Sequence, residues 1–176
     1  VRVGVEHATV DTLGITFRAD SFNLSLFRPL LPPDVATDLA GTLAADGRIA
    51  GRLDARVATG TLSFSRAGVA LPGLGVSYDR GELIGRLDGE ELRIERLRLM
   101  TGKKQELEAQ GVIHLKPLND PGLELDARLT DFLISNSPTL RTSASGDVRL
   151  IGAVHAPSLT GAVTVGPTDL FVGGEA

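Results

Sequence analysis

Cysteine and tryptophan are absent from this 176-residue chain, and aromatic residues are rare. Without cysteine, the chain can form neither a disulfide framework nor a thiolate metal site. Aromatic residues make up 4% of the sequence, whereas apolar residues reach 42% and glycine contributes 21 residues. Aromatic side chains usually supply much of the buried area of a globular core. The composition therefore predicts a thin interior built from Leu, Val, Ile and Ala.

Long apolar runs and signal-peptide patterns are also missing. No stretch approaches the roughly 20 apolar residues that a membrane-spanning helix needs. The sequence begins at Val1 rather than at a methionine and ends in Gly173-Gly174-Glu175-Ala176. We therefore expect residues 1–176 to form one segment of a longer protein, with any membrane anchor or export signal outside it.

The charge and the reactive residues argue against nucleic-acid binding and catalysis. The formal net charge is −4, and the basic residues form no run longer than Lys103-Lys104. The histidines His7, His114 and His155 lack partners at metal-ligand spacing, and no G-x-S-x-G nucleophile motif is present. We expect no enzyme activity, no metal site, no cofactor and no nucleic-acid partner.

Alternation of apolar and polar residues dominates the chain and predicts β-strands. The clearest runs are residues 107–115 and 123–129, where apolar side chains alternate with mostly polar ones. Tight turns favour antiparallel neighbours, so the expected fold is all-β: a long, curved, mostly antiparallel sheet. Four stretches have the composition of tight turns: Asp46-Gly47, Asp88-Gly89, Asn119-Asp120-Pro121-Gly122 and Ala156-Pro157.

Two stretches interrupt the alternation. Residues 67–75 carry three glycines and a proline, and residues 132–146 show no regular apolar period. We expect both to be irregular connections between strands.

The unit apolar-x-Gly-x-apolar recurs along the strands, and each of its glycines lies in the apolar row. Glycine inside a strand often marks a bend or a close approach by another group. In one interpretation, the glycines let a coiled sheet curve while facing side chains fill an ordinary sandwich core. In the other, the sheet curves into a trough whose apolar inner wall is not filled by protein and leaves room for a guest. The curvature glycines are Gly41, Gly51, Gly85, Gly111, Gly146, Gly152 and Gly161.

The groove interpretation assigns the apolar rows to the wall of the groove. In one example, Val148 and Leu150 face the wall, whereas Asp147 and Arg149 face away from it. The predicted lining residues are Leu39, Leu43, Ile49, Leu53, Val57, Leu62, Phe64, Leu83, Leu87, Leu92, Ile94, Leu97, Leu99, Leu107, Ile113, Leu115, Leu123, Leu125, Leu129, Val148, Leu150, Val154, Leu159, Val163 and Val165.

The last third of the chain resembles the C-terminal region of the TamB family, among the AsmA-like proteins of the diderm bacterial envelope. The resemblance is carried by a strand of the form SGD-apolar-x-Leu-x-Gly at residues 145–152, an Ala-Pro turn at 156–157 and a strand of the form LTG-apolar-x-Val at 159–165. Upstream, residues 81–115 are similar to the family's short strands with glycine-bounded turns. The similarity in the pattern of short strands and turns covers residues 35–166.

This resemblance implies a taco-shaped sheet with a hydrophobic groove, in an inner-membrane-anchored protein that crosses the periplasm. It implies phospholipids as cargo and an Omp85-type (TamA-like) outer-membrane barrel as a partner, bound through parts outside this segment. It implies no catalytic residues. The function expected is phospholipid transport between the membranes. Assistance to outer-membrane protein (autotransporter) assembly and a plain structural β module with a dry core are the alternatives.

Overall fold

A single β-sheet contains nearly all the secondary structure of the described chain, and strands adjacent in sequence pair in antiparallel order from β1 to β10. The computed structural model describes residues 1–8, 12–26, 37–52, 55–101, 104–117, 119–137, 140–166 and 168–170, with the side chains of all of these except 6–8, 12, 55–56 and 169–170. The predicted all-β, antiparallel, curved and open sheet is confirmed. The strands are β1 (Arg2–Ala8), β2 (Thr12–Asn23), β3 (Thr37–Arg52), β4 (Ala55–Leu71), β5 (Val76–Asp88), β6 (Glu91–Thr101), β7 (Gln105–His114), β8 (Gly122–Asn136), β9 (Leu140–Ala153), β10 (Ala156–Val165) and β11 (Asp169–Leu170), which pairs with β9.

The pairing register brings apolar residues of eight strands into one continuous row. Directly opposite residues of an antiparallel pair lie on the same face of the sheet. We call the side that carries this row the groove face, and the opposite side the charged face. The row consists, in order from β3 to β10, of Leu43, Phe64, Leu83, Leu97, Ala109, Ala127, Val148 and Gly161.

β-Bulges keep this row on one face where the sequence spacing is odd. Ile94 and Leu97 are three residues apart, which would place them on opposite faces of a regular strand. Gly85 pairs with Ile94 whereas Ile84 pairs with Arg96, so one extra residue is accommodated here. The predicted short strands around Leu92 and Leu97 are therefore one strand, β6.

Two of the four predicted turns are where the sequence places them. Strand β5 ends at Asp88 and β6 begins at Glu91, with Gly89 at a φ of 64°. Residues 119–121 lie in the connection from β7, which ends at His114, to β8, which begins at Gly122. The turn predicted at Ala156-Pro157 instead lies at Val154-His155, because Pro157 is already paired with Gly152 in β10.

The turn predicted at Asp46-Gly47 was wrong, since both residues lie in the middle of β3. Gly47 pairs with Phe17 on one side and with Gly60 on the other. A Cβ atom on Gly47 would lie 2.7 Å from Cε1 of the Phe17 ring. This glycine therefore makes room for an aromatic side chain from the neighbouring strand rather than for a turn.

Both predicted irregular connections are mostly strand. Strand β4 continues to Leu71, and only a 3₁₀ turn at Pro72–Leu74 separates it from β5. Within residues 132–146, β8 continues to Asn136 and β9 starts at Leu140. Register shifts between Leu129 and Phe132 break the alternation in this region, which is why the sequence looked irregular.

The curvature glycines are required by the path of the backbone. Gly41, Gly51, Gly111, Gly146, Gly152 and Gly161 have φ values between 109° and 151°, a region that side chains other than glycine rarely adopt; Gly85 is not in this region. At Gly111 a Cβ atom would overlap the carbonyl oxygen of Glu124 and lie 2.8 Å from Leu125 Cα. The missing side chain would therefore enter the adjacent strand, so Gly111 is explained without a guest.

We predict that Gly111→Ala lowers the free energy of unfolding by at least about 2 kcal/mol, because it combines an unfavourable φ with a clash against backbone. Gly73→Ala is the matched control: an added Cβ meets nothing within 4 Å at that position, and we expect a change within about 0.5 kcal/mol. Urea unfolding of both variants measures the difference. Equal stability of the two variants would contradict the conformational role of Gly111.

Candidate functional site

The two sides of the sheet differ sharply in chemistry. Along β8, Leu123, Leu125 and Leu129 are half-buried on the groove face, whereas Glu124 and Asp126 are exposed on the charged face. The same division recurs on β9, where Val148 and Leu150 are half-buried while Asp147 and Arg149 are exposed. The described residues form one sheet rather than two facing sheets, so the groove face is not covered as in an ordinary sandwich.

The groove face is concave, because strands that are not neighbours in the sheet contact each other across it. Tyr78 of β5 stacks on Phe132 of β8, with ring centroids 5.1 Å apart and planes within 7° of parallel. The Tyr78 hydroxyl donates a hydrogen bond of 3.1 Å to the carbonyl oxygen of Leu133. Strands β6 and β7 lie between these two strands in the sheet order. The sheet therefore bends enough to bring β5 and β8 into contact.

This contact closes one end of the groove with a packed core. Val76, Tyr78, Phe132 and Leu133 are buried, and half-buried residues of four strands pack against them. The 3₁₀ turn reinforces this end, since the Ser135 hydroxyl lies 3.4 Å from the carbonyl oxygen of Leu74. The supporting residues are Val69, Leu71, Leu99, Leu107 and Leu129. We call this set the closed-end cluster.

Away from the closed-end cluster the apolar side chains become progressively accessible. At the β10 edge, Leu159 is 64% exposed, Val163 44% and Val165 60%. Leu150, the register partner of Leu159, is half-buried one strand further in. The groove face is thus dry at one end and open along the free edge of β10.

Most predicted lining residues lie on or beside this surface. Among those described, Ile94 is buried and Leu159, Val163 and Val165 are exposed at the edge. The half-buried members are Leu39, Leu43, Ile49, Leu62, Phe64, Leu83, Leu87, Leu92, Leu97, Leu99, Leu107, Ile113, Leu115, Leu123, Leu125, Leu129, Val148 and Leu150.

Three predicted lining residues need separate comment. Val57 pairs with Ala50, whereas Ile49 pairs with Ala58, so Val57 lies on the charged face. The sequence had joined residues 49–57 into one strand, but residues 49–52 lie in β3 and residues 55–57 in β4. Val154 lies in the turn between β9 and β10. Leu53 lies outside the described residues.

The sequence analysis missed the closed-end cluster. Val69 and Leu71 had been assigned to an irregular connection, and Phe132 and Leu133 to another. Their alternation is broken by bulges, which include Arg66 at a φ of 51° and Asp131 at a φ of 45°. The signal available in the sequence was the rarity of aromatic residues, since Tyr78 is the only tyrosine of the chain and aromatic side chains usually dominate the packing of a core.

Cross-strand ion pairs organise the charged face. Arg128 Nε lies 2.8 Å from Asp147 Oδ1, and Arg149 Nη2 lies 2.5 Å from Glu124 Oε1. Arg98 pairs with Glu106. The hydrogen bond from Arg98 lowers the pKa of Glu106, and the hydrogen bond to Asp147 raises the pKa of Arg128. These groups neutralise one another across the strands, as expected for a solvated sheet face.

The histidines whose side chains are described serve as partners of carboxylates. His155 Nδ1 lies 2.9 Å from Asp120 Oδ1, and this hydrogen bond lowers the pKa of Asp120. His114 Nδ1 lies 3.6 Å from Glu91 Oε1. Within the part of the chain that the structure describes, no cluster of three potential metal ligands occurs. No helix there is long and apolar enough to span a membrane.

Comparison with protein families connects this architecture to a known group. The family model described as the TamB C-terminal domain matches residues 95–174, from β6 to beyond β11. Residues 95–174 belong to the TamB family. No curated protein and no solved structure matches the chain. The match links this part of the chain to a non-enzymatic family of Gram-negative envelope proteins.

The TamB match covers the groove face from β6 to β10. It includes Leu97, Leu125 and Leu150 together with the free edge at β10. Strand β5 lies before the matched residues, yet its pairing with β6 continues the same apolar row through Leu83 and Leu97. The groove face therefore extends beyond the matched part of the chain without a break in the sheet.

The buried Tyr78 hydroxyl gives a direct test of the closed-end cluster. Burial raises the pKa of Tyr78, from about 10 in an unfolded chain. Because the native pKa is the higher one, the stability that this group contributes is present below about pH 10 and is lost as the pH rises through the native pKa. Tyr78 is the only tyrosine and tryptophan is absent, so tyrosinate absorbance reports this residue alone.

We predict that the tyrosinate absorbance of the native protein titrates above the midpoint measured in concentrated urea. Leu133→Ala leaves the carbonyl acceptor in place but opens the packing around the ring, so it should move the native midpoint towards the denatured value. A native midpoint equal to the denatured one would contradict the buried position of Tyr78.

Proposed function

We propose that this chain is a segment of a periplasm-spanning lipid-transfer protein, whose groove face shields phospholipid acyl chains on their way between the inner and the outer membrane. The observation that carries the proposal is the unbroken apolar row from Leu43 to Val148, set on a concave and partly open face. The TamB match supports the envelope setting. The role involves no catalysis and no cofactor.

The energetic reason for such a surface is the cost of exposing an acyl chain to water. Burying one methylene is worth about 0.8 kcal/mol, so a 16-carbon chain in water costs on the order of 13 kcal/mol. The half-buried Leu, Ile, Val and Ala side chains of the groove face offer an apolar alternative. Because similar residues recur on successive strands, no single position should trap the chain, in contrast to a pocket with converging polar groups.

The length of the groove face suits an acyl chain. Neighbouring strands lie about 4.8 Å apart, so the seven intervals from β3 to β10 span roughly 34 Å along the row. The hydrocarbon core of a bilayer, which contains two opposed acyl chains, is about 30 Å thick. The row is therefore longer than one acyl chain, which allows a lipid to shift from strand to strand with its headgroup in water at the open edge.

The wider setting belongs to the same proposal. The parent protein would be anchored in the inner membrane and would cross the periplasm. It would meet an Omp85-type (TamA-like) barrel in the outer membrane through parts outside this chain. The segment itself would bind phospholipids and no nucleic acid.

Two alternatives each have an observation in their favour. Strand β10 is exposed along its whole length, and a free edge can pair with a strand of another protein; this favours a scaffold in outer-membrane protein assembly. The closed-end cluster is a dry core, which favours a plain structural module. Native mass spectrometry separates lipid transfer from the structural module, because co-purified phospholipid is expected for lipid transfer alone.

We predict that a photoreactive amino acid at position 150 forms phospholipid adducts in cells, whereas one at position 149 does not. These neighbours point to opposite faces of β9, so the two probes differ in the face that they sample and not in their position along the chain. Positions 125 and 126 provide a second pair, since Leu125 is the register partner of Leu150 and Asp126 that of Arg149.

Equal lipid labelling at positions 149 and 150, or none at either, would refute the lipid-transfer proposal. Adducts with other proteins at position 159 on β10, without lipid adducts at position 150, would favour the assembly scaffold instead.

A further inference from the structure

Strand β10 forms an edge of the sheet that lacks most of the features that block pairing with another strand. Natural edge strands are commonly kept apart by charged side chains, by β-bulges or by a short length. Strand β10 has ten residues and no charged side chain, and it pairs with β9 from Ala156 to Val165 without a register shift. It has no neighbour on its outer side among the described residues. A long and regular edge is therefore available to a further strand.

The opposite edge of the sheet is better protected. Strand β1 has seven residues, includes Arg2 and Glu6, and contains a register shift between Val5 and His7. A bulge twists an edge strand, and a charged residue there disfavours pairing with a partner. Of the two edges, β10 is therefore the one suited to pairing.

The sequence of β10 is complementary to itself in antiparallel orientation. When Gly161 lies opposite Gly161 of a second copy, residues at equal distances from Gly161 face each other, and facing residues share one side of the sheet. Apolar residues then meet on the groove face, and small or hydroxyl side chains meet on the charged face. The resulting pairs are Leu159 with Val163, Thr160 with Ala162, Ser158 with Thr164 and Pro157 with Val165.

This pairing would cover apolar side chains at the edge. Leu159, Val163 and Val165 are exposed on the groove face, and burial of apolar surface favours association. Because β10 contains no charged residue, no like charges meet between the two paired strands. Apolar contacts and backbone hydrogen bonds would therefore act together without electrostatic repulsion between the strands.

The number of hydrogen bonds is sufficient for a specific dimer. Residues 157–165 all find a partner, and antiparallel pairing of this length supplies roughly eight backbone hydrogen bonds. A typical protein interface has about 10. Pro157 has no amide hydrogen to donate, but it is the second residue of the strand, so the loss is confined to the ends of the interface.

We propose that the outer edge of β10 pairs with β10 of a second copy, in an antiparallel arrangement centred on Gly161. The twofold axis is perpendicular to the sheet and keeps both groove faces on the same side. The apolar row, which reaches Gly161 from Val148, would continue into the second copy. The dimer would thus join two groove faces into one surface. Its formation requires no lipid, so dimerisation and lipid transfer can fail independently.

Two double variants that differ only at position 160 test this register. In Thr160→Lys/Ala162→Lys, lysines face each other between the two copies. In Thr160→Glu/Ala162→Lys, each glutamate faces a lysine. Analytical ultracentrifugation over a range of protein concentrations measures the dissociation constant of the dimer. Circular dichroism checks that each variant retains the sheet.

We expect the unmodified chain to form a dimer whose population increases with protein concentration. Thr160→Lys/Ala162→Lys should weaken dimerisation by about tenfold or more, because like charges placed directly opposite destabilise a sheet. Thr160→Glu/Ala162→Lys should dimerise within about threefold of the unmodified chain or more tightly, because opposite charges then face each other.

Disulfide formation gives a second measurement, since the chain contains no cysteine. Directly opposite residues of an antiparallel pair have Cβ atoms close enough for a disulfide. Thr160→Cys/Ala162→Cys should therefore form a covalent dimer under mild oxidation. Ser158→Cys/Thr160→Cys is the matched control, because these two positions do not face each other in the proposed register. This measurement decides the question if the lysine variant loses the sheet.

A monomer at every concentration would overturn the proposal, as would equal weakening by the two charged variants or equal disulfide formation by the two cysteine variants. Assemblies larger than a dimer would overturn it as well, because pairing about a twofold axis closes after two copies.

Discussion

Strand register is the constraint on which the rest of this structure depends. In an antiparallel sheet a shift of one residue moves every side chain to the opposite face. The row from Leu43 through Leu97 to Val148 exists only because six successive strand pairings keep their apolar residues opposite one another. The bulge beside Ile94 shows how register is maintained: one extra residue is accommodated, and the apolar residues on either side stay on the groove face.

Curvature follows from the same backbone. Glycines with positive φ lie within β3, β7, β9 and β10, and at Gly111 and Gly146 an added Cβ would meet the backbone of the adjacent strand. The bend brings Tyr78 against Phe132 and encloses a small core at one end. At the other extreme, β10 has no neighbour on its outer side among the described residues, and its apolar side chains stay accessible. One sheet therefore combines a small buried core with an accessible apolar surface.

The charged face has a role of its own in this architecture. A sheet whose one side is apolar and accessible needs a strongly hydrated opposite side to limit aggregation. From β7 to β9, pairs such as Arg128 with Asp147 supply this hydration without net charge. At β1 to β3 the arrangement differs, since Arg18 faces Arg2 on one side and Asp46 on the other.

Much of the local structure could be predicted from the sequence alone. The alternation in residues 123–129 gave both the strand and its two faces, because side-chain direction has a period of two residues whatever the strand pairs with. The turn at Asp88-Gly89 was predictable because a glycine there adopts a positive φ. The TamB resemblance rested on such short-range features and agrees with the family match over residues 95–174.

Only the tertiary structure decided how these strands combine. Asp46-Gly47 has the composition of a turn but lies within β3, because the Phe17 ring needs the space above Gly47. Val57 lies on the charged face because the β3–β4 hairpin sets its partner as Ala50. The closed-end cluster brings together residues that are far apart in the chain, such as Tyr78 and Phe132. Sequence periodicity acts over a few residues, whereas register, bulges and curvature depend on the pairing energy of distant strands.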